Sequence, residues 1–400
     1  MGTTSFRHLW LGQLLANSGD VFYIVGLMAI IHEQTGSAMY LAVVPFIITV
    51  AKFSSGFIAP LLLDQYRLKS LLVFSQLAKT LLLFTMQMVT ITFSWNLVIT
   101  FVLVFCISFL DGWATPARNA MLPRLVHRDD LIKANSFVAT LDQTVQLGGW
   151  ASGGILVALI GGNQMIWLTL CLFVISTFFM RLLKDDTEQI GEEDNTTVQS
   201  KWQSLKEGWL FIWKVPSIRS IHLIYVFEYF ASAVWIAAIL YVYVEEILGK
   251  DQSWWGYINA TFFLGLVIGG LFAVKFAKVV DLHLPYVIII SSFVICLGTL
   301  TFGLNSSPIA ALFLSALCGF LEQVKSISLQ TSLQRAASIH QLPKIYAAQG
   351  ALLSLVFAVS SVIFGFLTEL YSVSFSFIIA ALLLFSSGIY STIKKKLLSS

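Results

Sequence analysis

Charge is what this sequence has least of. Only 11% of its 400 residues are Asp, Glu, Lys or Arg, against roughly 25% in soluble domains, and that scarcity excludes an ordinary water-soluble protein. A net charge of +3, with no cluster that interleaves basic and aromatic residues, argues against nucleic acid as a partner. Cysteine is scarce too: Cys106, Cys171, Cys296 and Cys318 lie in apolar stretches without CxxC spacing, which leaves neither a disulfide framework nor a zinc site and suggests small buried hydrophobes. Motifs for bond-making chemistry are missing. The sequence has no HExxH, GxSxG or P-loop, and its six His are scattered at 8, 32, 127, 222, 283 and 340, so no enzyme, metal or cofactor is expected. Without a nucleotide-binding motif, any active transport by this chain is expected to draw on an ion gradient.

What the chain has in quantity is apolar sequence, 57% of residues with a mean hydropathy of +0.83, arranged in runs long enough to cross a bilayer. Twelve spans are predicted, at 9–31, 37–63, 70–92, 95–118, 135–161, 164–183, 217–247, 253–274, 284–303, 308–331, 346–369 and 372–392. The first has no small-residue cleavage pattern behind it and reads as a retained helix, not a signal peptide. Six spans precede the one long polar stretch and six follow it. That stretch holds the acidic run EQIGEEDNTT and the amphipathic segment KWQSLKEGWLFIWK, whose Trp202, Trp209 and Trp213 suit a helix lying at the membrane interface. The predicted fold is an all-α membrane protein of twelve transmembrane helices: a six-helix bundle at 1–183, a cytoplasmic linker at 184–216 and a second six-helix bundle at 217–400.

Orientation follows from the basic residues, which are retained on the cytoplasmic side. With the N-terminus inside, the cytoplasmic segments hold 20 of the 24 Lys and Arg. Only Lys250 falls outside, and Lys52, Lys79 and Lys325 lie within spans. Both termini are therefore expected in the cytoplasm.

Two six-span halves are what an alternating-access carrier requires, and three stretches give the sequence a family likeness. The opening LWLGQLLANSGDVFYIVGLMAIIHEQTGSA, the loop GFIAPLLLDQYRLK and the segment PARNAMLPRLVHRDDLIKANSF resemble the major facilitator superfamily, and within it the bacterial branch of macrolide-efflux and enterobactin-exporter proteins. The likeness covers nearly the whole chain. It implies the major facilitator fold, a monomer in the bacterial cytoplasmic membrane, and export of a small molecule. In the loop after span two it assigns cytoplasmic gating to Gly56, Asp64, Arg67 and Lys69, although Gln65 stands where the superfamily usually has Arg. Span five departs from the superfamily's antiporter motif, with Trp150 in the usual place of Pro, while Gly149, Gly153 and Gly154 allow close helix packing. The second-half copy of the gating loop keeps Gly269 and Gly270 but shows no clear Asp-Arg pair.

Eight charges fall inside the spans: Asp20, Asp111, Asp142, Glu228 and Glu322 against Lys52, Lys79 and Lys325. Each costs about 2.5 to 3.5 kcal/mol at mid-bilayer on insertion scales, so a function is expected of them. Asp20, Lys52 and Glu228 share a depth of roughly 16 Å from the cytoplasmic end of their spans, near mid-membrane. By the family likeness spans one, four, seven and ten line the cavity, and they carry Asp20, Asp111, Glu228 and Glu322, one carboxylate each. A carboxylate taken out of water holds a proton more tightly and a neighbouring cation opposes this, so these acids are expected to couple protons to a substrate. Asp20 and Glu228 are the first candidates, and Asp111 and Glu322 the second. Static pairing is the alternative, with Lys52 on Asp20, Lys79 on Asp111 near the inner leaflet, and Lys325 on Glu322 at i, i+3. The surplus of acids favours protons or a cationic substrate. Phe22, Tyr23, Tyr225, Phe227, Tyr229, Phe230 and Trp235 offer an apolar wall beside them. The predicted function is proton-coupled export of small amphiphilic or cationic molecules; coupled uptake of a small solute would use the same residues, and a non-transporting receptor is the third reading.

Overall fold

A computed structural model of the chain describes residues 4–36, 38–92, 96–184, 201–235, 237–251 and 253–398, and the regular structure among them is helical throughout. In the first part of the chain run α1 (Thr4–Thr35), α2 (Ala38–Gln65), α3 (Leu68–Thr92), α4 (Leu97–Leu125), α5 (Leu131–Ile160) and α6 (Gly162–Arg181). Then come α7 (Lys201–Lys214), α8 (Pro216–Ala231), α9 (Ala237–Val242), α10 (Ser253–Lys275), α11 (Ala277–Leu282), α12 (Leu284–Leu304), α13 (Pro308–Ala336), α14 (Leu342–Leu370), α15 (Val373–Ile393) and α16 (Lys395–Leu398). Among the described residues nine helices are each long and apolar enough to cross a membrane, and the bent pair Lys206–Lys214 and Pro216–Trp235 makes ten. With α2 and α5 at the second and fifth places, helices stand at all twelve predicted positions. The acidic run and the side chain of Trp202 lie outside the described residues.

Local chemistry sets the ends of these helices. Asn96 accepts from the N–H groups of Val98 and Ile99 at 3.0 and 3.1 Å to start α4. Ser372 caps α15 through Phe375 N–H at 3.1 Å, each side-chain oxygen satisfying donors that have no helical partner. Gly161, at φ +83°, breaks the chain between α5 and α6 in a conformation that a side chain would strain. Many Ser and Thr hydroxyls within the spans bond back to the carbonyl four residues earlier, as Thr169 does to Met165 at 2.9 Å, which satisfies them without water.

By contact the chain divides into two units, 1–127 with 144–209 and 339–351, and 128–143 with 210–338 and 352–400. Inside the first, α1 packs on α6, α2 on α4, and α3 on both α4 and α6. Inside the second, α8 packs on α15, α10 on α13, and α12 on both α13 and α15. Span for span this is the same scheme repeated. The α1–α6 seam is made by glycines every seventh residue: a Cβ on Gly12, Gly19 or Gly26 would stand 3.1, 2.6 or 3.0 Å from Met180, Phe173 or Met165. Seven residues are close to two helical turns, so all three face one way and let the backbones approach. The α10–α13 seam uses GxxxG spacing: a Cβ on Gly269 would clash with the Phe320 carbonyl oxygen, and one on Gly265 with that of Ala316.

Span seven is not one helix. After α8 comes a 3-10 turn at Ser232–Trp235, then α9, then a π-helical turn at Tyr243–Ile247, though SAVWIAAILYV contains neither Gly nor Pro. Ahead of it α7 turns through 98° into α8. Gly208 of α7 lies under the carbonyl of Lys344, whose ammonium reaches Glu207 at 2.6 Å, so the amphipathic helix is fastened to the start of α14. Of the cysteines, all unpaired, only Cys318 is buried and Cys171 is exposed, which corrects the expectation of four buried thiols.

Candidate functional site

The intramembrane charges gather into two clusters, one in each unit. In the first, Lys79 on α3 stands between two acids, its Nζ 2.7 Å from Asp20 Oδ1 on α1 and 3.0 Å from Asp111 Oδ1 on α4. Lys52 on α2 closes the set at 2.8 Å from Asp111 Oδ2. The pairing differs from the expected one: Lys52 meets Asp111, not Asp20, and Lys79 serves both acids. The Lys79 side chain is 2% exposed and Lys52 50%, so burial is concentrated on the shared lysine. Phe173 of α6 covers it, with the ring centroid 5.1 Å from Nζ, and the same ring fills the space a side chain at Gly19 would need. The Ser-Gly-Asp of residues 18–20 thus has a local reason: glycine admits the aromatic lid and aspartate takes the cation beneath it.

In the second unit Lys325 on α13, fully buried, stands 3.2 Å from Glu228 Oε1 on α8 and 3.0 Å from Glu322 Oε2 one turn back on its own helix. Ser387 of α15 donates to Glu228 at 3.4 Å. Asp111 and Glu322 are counterparts: each lies fourteen residues beyond the start of a 29-residue helix, at Leu97 and Pro308. The lysines are not. Eleven residues into α3 is Lys79, while eleven into α12 is Ile295, and three residues after Asp111 is Ala114.

A cavity of about 220 Å³ opens in the second unit beside this cluster, bounded by Glu228, Glu322, Ser232, Trp235, Phe262 and Cys318, among others. Its wall includes the 3-10 turn that interrupts span seven, as expected if irregular backbone at membrane depth is tolerated where it lines a cavity. Of the predicted aromatic wall, Trp235 reaches this cavity, Tyr23 and Tyr225 are buried in helix packing, and Tyr229 is 41% exposed. Asp142 lies partly buried on α5 and belongs to neither cluster as these bonds define them.

The predicted gating loop is a turn between α2 and α3 with Arg67 exposed and Lys69 half-buried; the Asp64 side chain lies outside the described residues. A Cβ on Gly56 or Gly154 would touch nothing within 4 Å, whereas one on Gly149 or Gly153 would meet Val21 or Val25 of α1 at 3.1 or 3.2 Å. Of the three glycines singled out in span five, close packing thus involves Gly149 and Gly153. Sequence reasoning missed a polar cluster at the start of α5. There Asn135 donates to Thr331 Oγ1 at 2.9 Å and Gln334 Oε1 at 2.6 Å, and accepts from Gln334 Nε2 at 3.3 Å. Beside it Arg335 and Arg128 each donate to the other's carbonyl at 3.4 and 3.2 Å, and Arg335 pairs with Asp281 at 2.6 Å. Asp281 and Arg335 are the acid–arginine contact that the second-half loop seemed to lack. The signal was available, since Arg124 and Arg335 each lie twenty-seven residues into matching helices.

Comparison with known proteins places this geometry. Residues 1–397 match the family model described as transmembrane secretion effector. The chain is 27% identical to the uncharacterized MFS-type transporter YfmI of Bacillus subtilis, over 94% of this chain and 93% of that one. It is 24% identical to the multidrug efflux pump Tap of Mycolicibacterium fortuitum, over 59% of this chain and 56% of the pump. Among solved structures it superposes with a TM-score of 0.75 on a bacterial homologue of the iron transporter ferroportin in its outward-facing state, at 14% identity and covering 98% of this chain and 99% of that one.

Proposed function

Because the chain belongs to the transmembrane secretion effector family of major facilitator transporters, we propose that it exports small amphiphilic or cationic organic molecules in exchange for protons, by alternating access. It is a transporter and not an enzyme. The observation that carries the finer reading is the sharing of one buried lysine between two carboxylates in each cluster. When one acid takes a proton, the lysine remains bound to the other, so the buried ammonium keeps a partner while the proton moves. Asp20 and Glu228 are the primary proton carriers, with Asp111 and Glu322 as their partners across Lys79 and Lys325, and Lys52 and Asp142 adjust the local field. The efflux activity named for the mycobacterial relative supports the outward direction. Two six-helix bundles, 1–183 and 217–400, alternate access about the linker at 184–216, with Gly56, Asp64, Arg67 and Lys69 forming a cytoplasmic gate. The carrier works as a monomer in the bacterial cytoplasmic membrane with both termini inside.

Transport into everted vesicles tests this. Under an imposed proton gradient, wild type is expected to accumulate members of a panel of lipophilic cations, macrolides and peptides. Asp20→Asn and Glu228→Gln are expected to lose gradient-driven accumulation at unchanged protein level. If wild type moves nothing on the panel, export of such molecules is refuted; if both variants are fully active, the clusters are static pairs.

A further inference from the structure

The two clusters differ in one respect that their common plan conceals: their sum of charge. The first contains two carboxylates and two ammonium groups, Asp20 and Asp111 against Lys79 and Lys52. The second contains two carboxylates and one ammonium, Glu228 and Glu322 against Lys325, and the charged groups that act on Glu228 are those same two partners. The titratable neighbours Tyr229 and Cys318 add no positive charge. With both acids ionised, one negative charge is therefore left over in a low-dielectric setting, where an uncompensated ion is costly.

The surplus lies where a ligand has room. Lys325 and Glu228 are closed off, at 0% and 5% side-chain exposure, whereas Glu322 is 38% exposed and borders the 220 Å³ cavity. Trp235 and Phe262 line the same cavity and stack with ring centroids 5.9 Å apart and planes 24° from parallel. Aromatic faces beside a carboxylate attract an organic cation through the ring quadrupole. Against the 300 to 1,000 Å³ of pockets that enclose whole drug-sized molecules, this space suits only a compact head group. The break in span seven forms one wall, so the site is built into irregular backbone and not merely left between helix faces.

We propose that this cavity is a binding site for the head of an organic monocation, an amine or quaternary ammonium group, held by Glu322 and the Trp235–Phe262 pair. The cation supplies the charge that Lys52 supplies in the first unit. The inference rests on the reading that the carried molecules include cations, and adds to it which unit takes the charge and which residue confers the preference.

The test is equilibrium binding to purified full-length protein in detergent, without a gradient. Two probes are compared by calorimetry: benzyltrimethylammonium and neopentylbenzene, its uncharged carbon isostere. Wild type is expected to prefer the cation at least tenfold. Glu322→Gln should abolish the preference, Glu322→Asp should keep most of it, and Glu369→Gln, which removes an exposed carboxylate from the end of α14, should leave it unchanged. Ser232→Phe fills the cavity without altering charge and should remove binding, so it decides the question should Glu322→Gln fail to fold. Equal binding of the cation by wild type and Glu322→Gln overturns the proposal, as does a Ser232→Phe variant that still binds. If vesicles transport cations but the cavity variants bind them normally, the site is wrong and the transport reading stands. If binding behaves as expected while no cation is transported, the site stands and the transport reading falls.

Discussion

Replacing Lys79 by Met should unmask an inequality between the two acids it serves. Asp20 has both its ion-pair contacts on Lys79, at 2.7 and 3.0 Å, whereas Asp111 keeps Lys52 at 2.8 Å. Removing one member of a buried pair costs about 3 to 5 kcal/mol. Asp20 is 27% exposed, which reduces that figure, and protonating an ordinary aspartate at neutral pH costs about 4 kcal/mol, which caps it. A loss of about 2 to 4 kcal/mol is therefore expected in Lys79→Met, read by denaturant titration of purified protein in mixed micelles. Adding Asp20→Asn should restore at least half of the loss, because the abandoned carboxylate becomes neutral. Adding Asp111→Asn should restore little, and strips Lys52 of its partner. The double-mutant coupling isolates the interaction, since each substitution is nearly isosteric. A Lys79→Met protein as stable as wild type, or one rescued better by Asp111→Asn than by Asp20→Asn, would refute the pairing and the argument built on it.

Three more outcomes follow from the geometry. Gly19→Leu would drive a side chain into the Phe173 ring, where even a Cβ stands 2.6 Å away, and should cost more than about 2 kcal/mol, seen as poor yield and a lowered melting temperature; Gly154→Ala, with open space around it, should stay within about 0.5 kcal/mol of wild type. Asn135→Ala deprives Gln334 and Thr331 of their partner and should cost about 1 to 3 kcal/mol; a single cysteine at buried Ser332 should then react with maleimide several-fold faster, and an unchanged rate would deny Asn135 a part in sealing that region. Gly208→Val should lift α7 from the Lys344 carbonyl and break the Glu207 pair, so that Glu207→Gln added to it causes no further loss of stability.

The spans and the membrane-embedded acids were legible in the sequence because hydropathy is a sum over twenty residues and a charge within such a run stands out. The matching depth of Asp20 and Glu228 could be counted along a helix. Which lysine meets which acid could not, because a lysine side chain reaches several ångströms to either side and its choice depends on helix packing. Counting places Lys52 at the depth of Asp20, yet α2 packs on α4 and delivers it to Asp111. The break in span seven left no mark, since Ser232 to Val242 contains no residue that ends a helix on its own account. Asn135 was hidden for another reason: a polar residue close to a span's end reads as a boundary, and only the approach of Gln334 reveals it as a partner.

The position of the shared lysine also decides how each unit responds to force. In the first cluster each of the three ion pairs joins two different helices, α3 to α1, α3 to α4 and α2 to α4, so sliding any one of the four strains a charged bond. That arrangement is a cross-brace. In the second, Lys325 and Glu322 ride on the same helix one turn apart and travel together, leaving the bond from Lys325 to Glu228 as the single ionic tie between α13 and α8 in the cluster. A shift of α8 against α13 stretches that tie alone. The repeated scaffold thus contains one stiff frame and one with a releasable catch, two mechanical elements made from lysines and carboxylates alone.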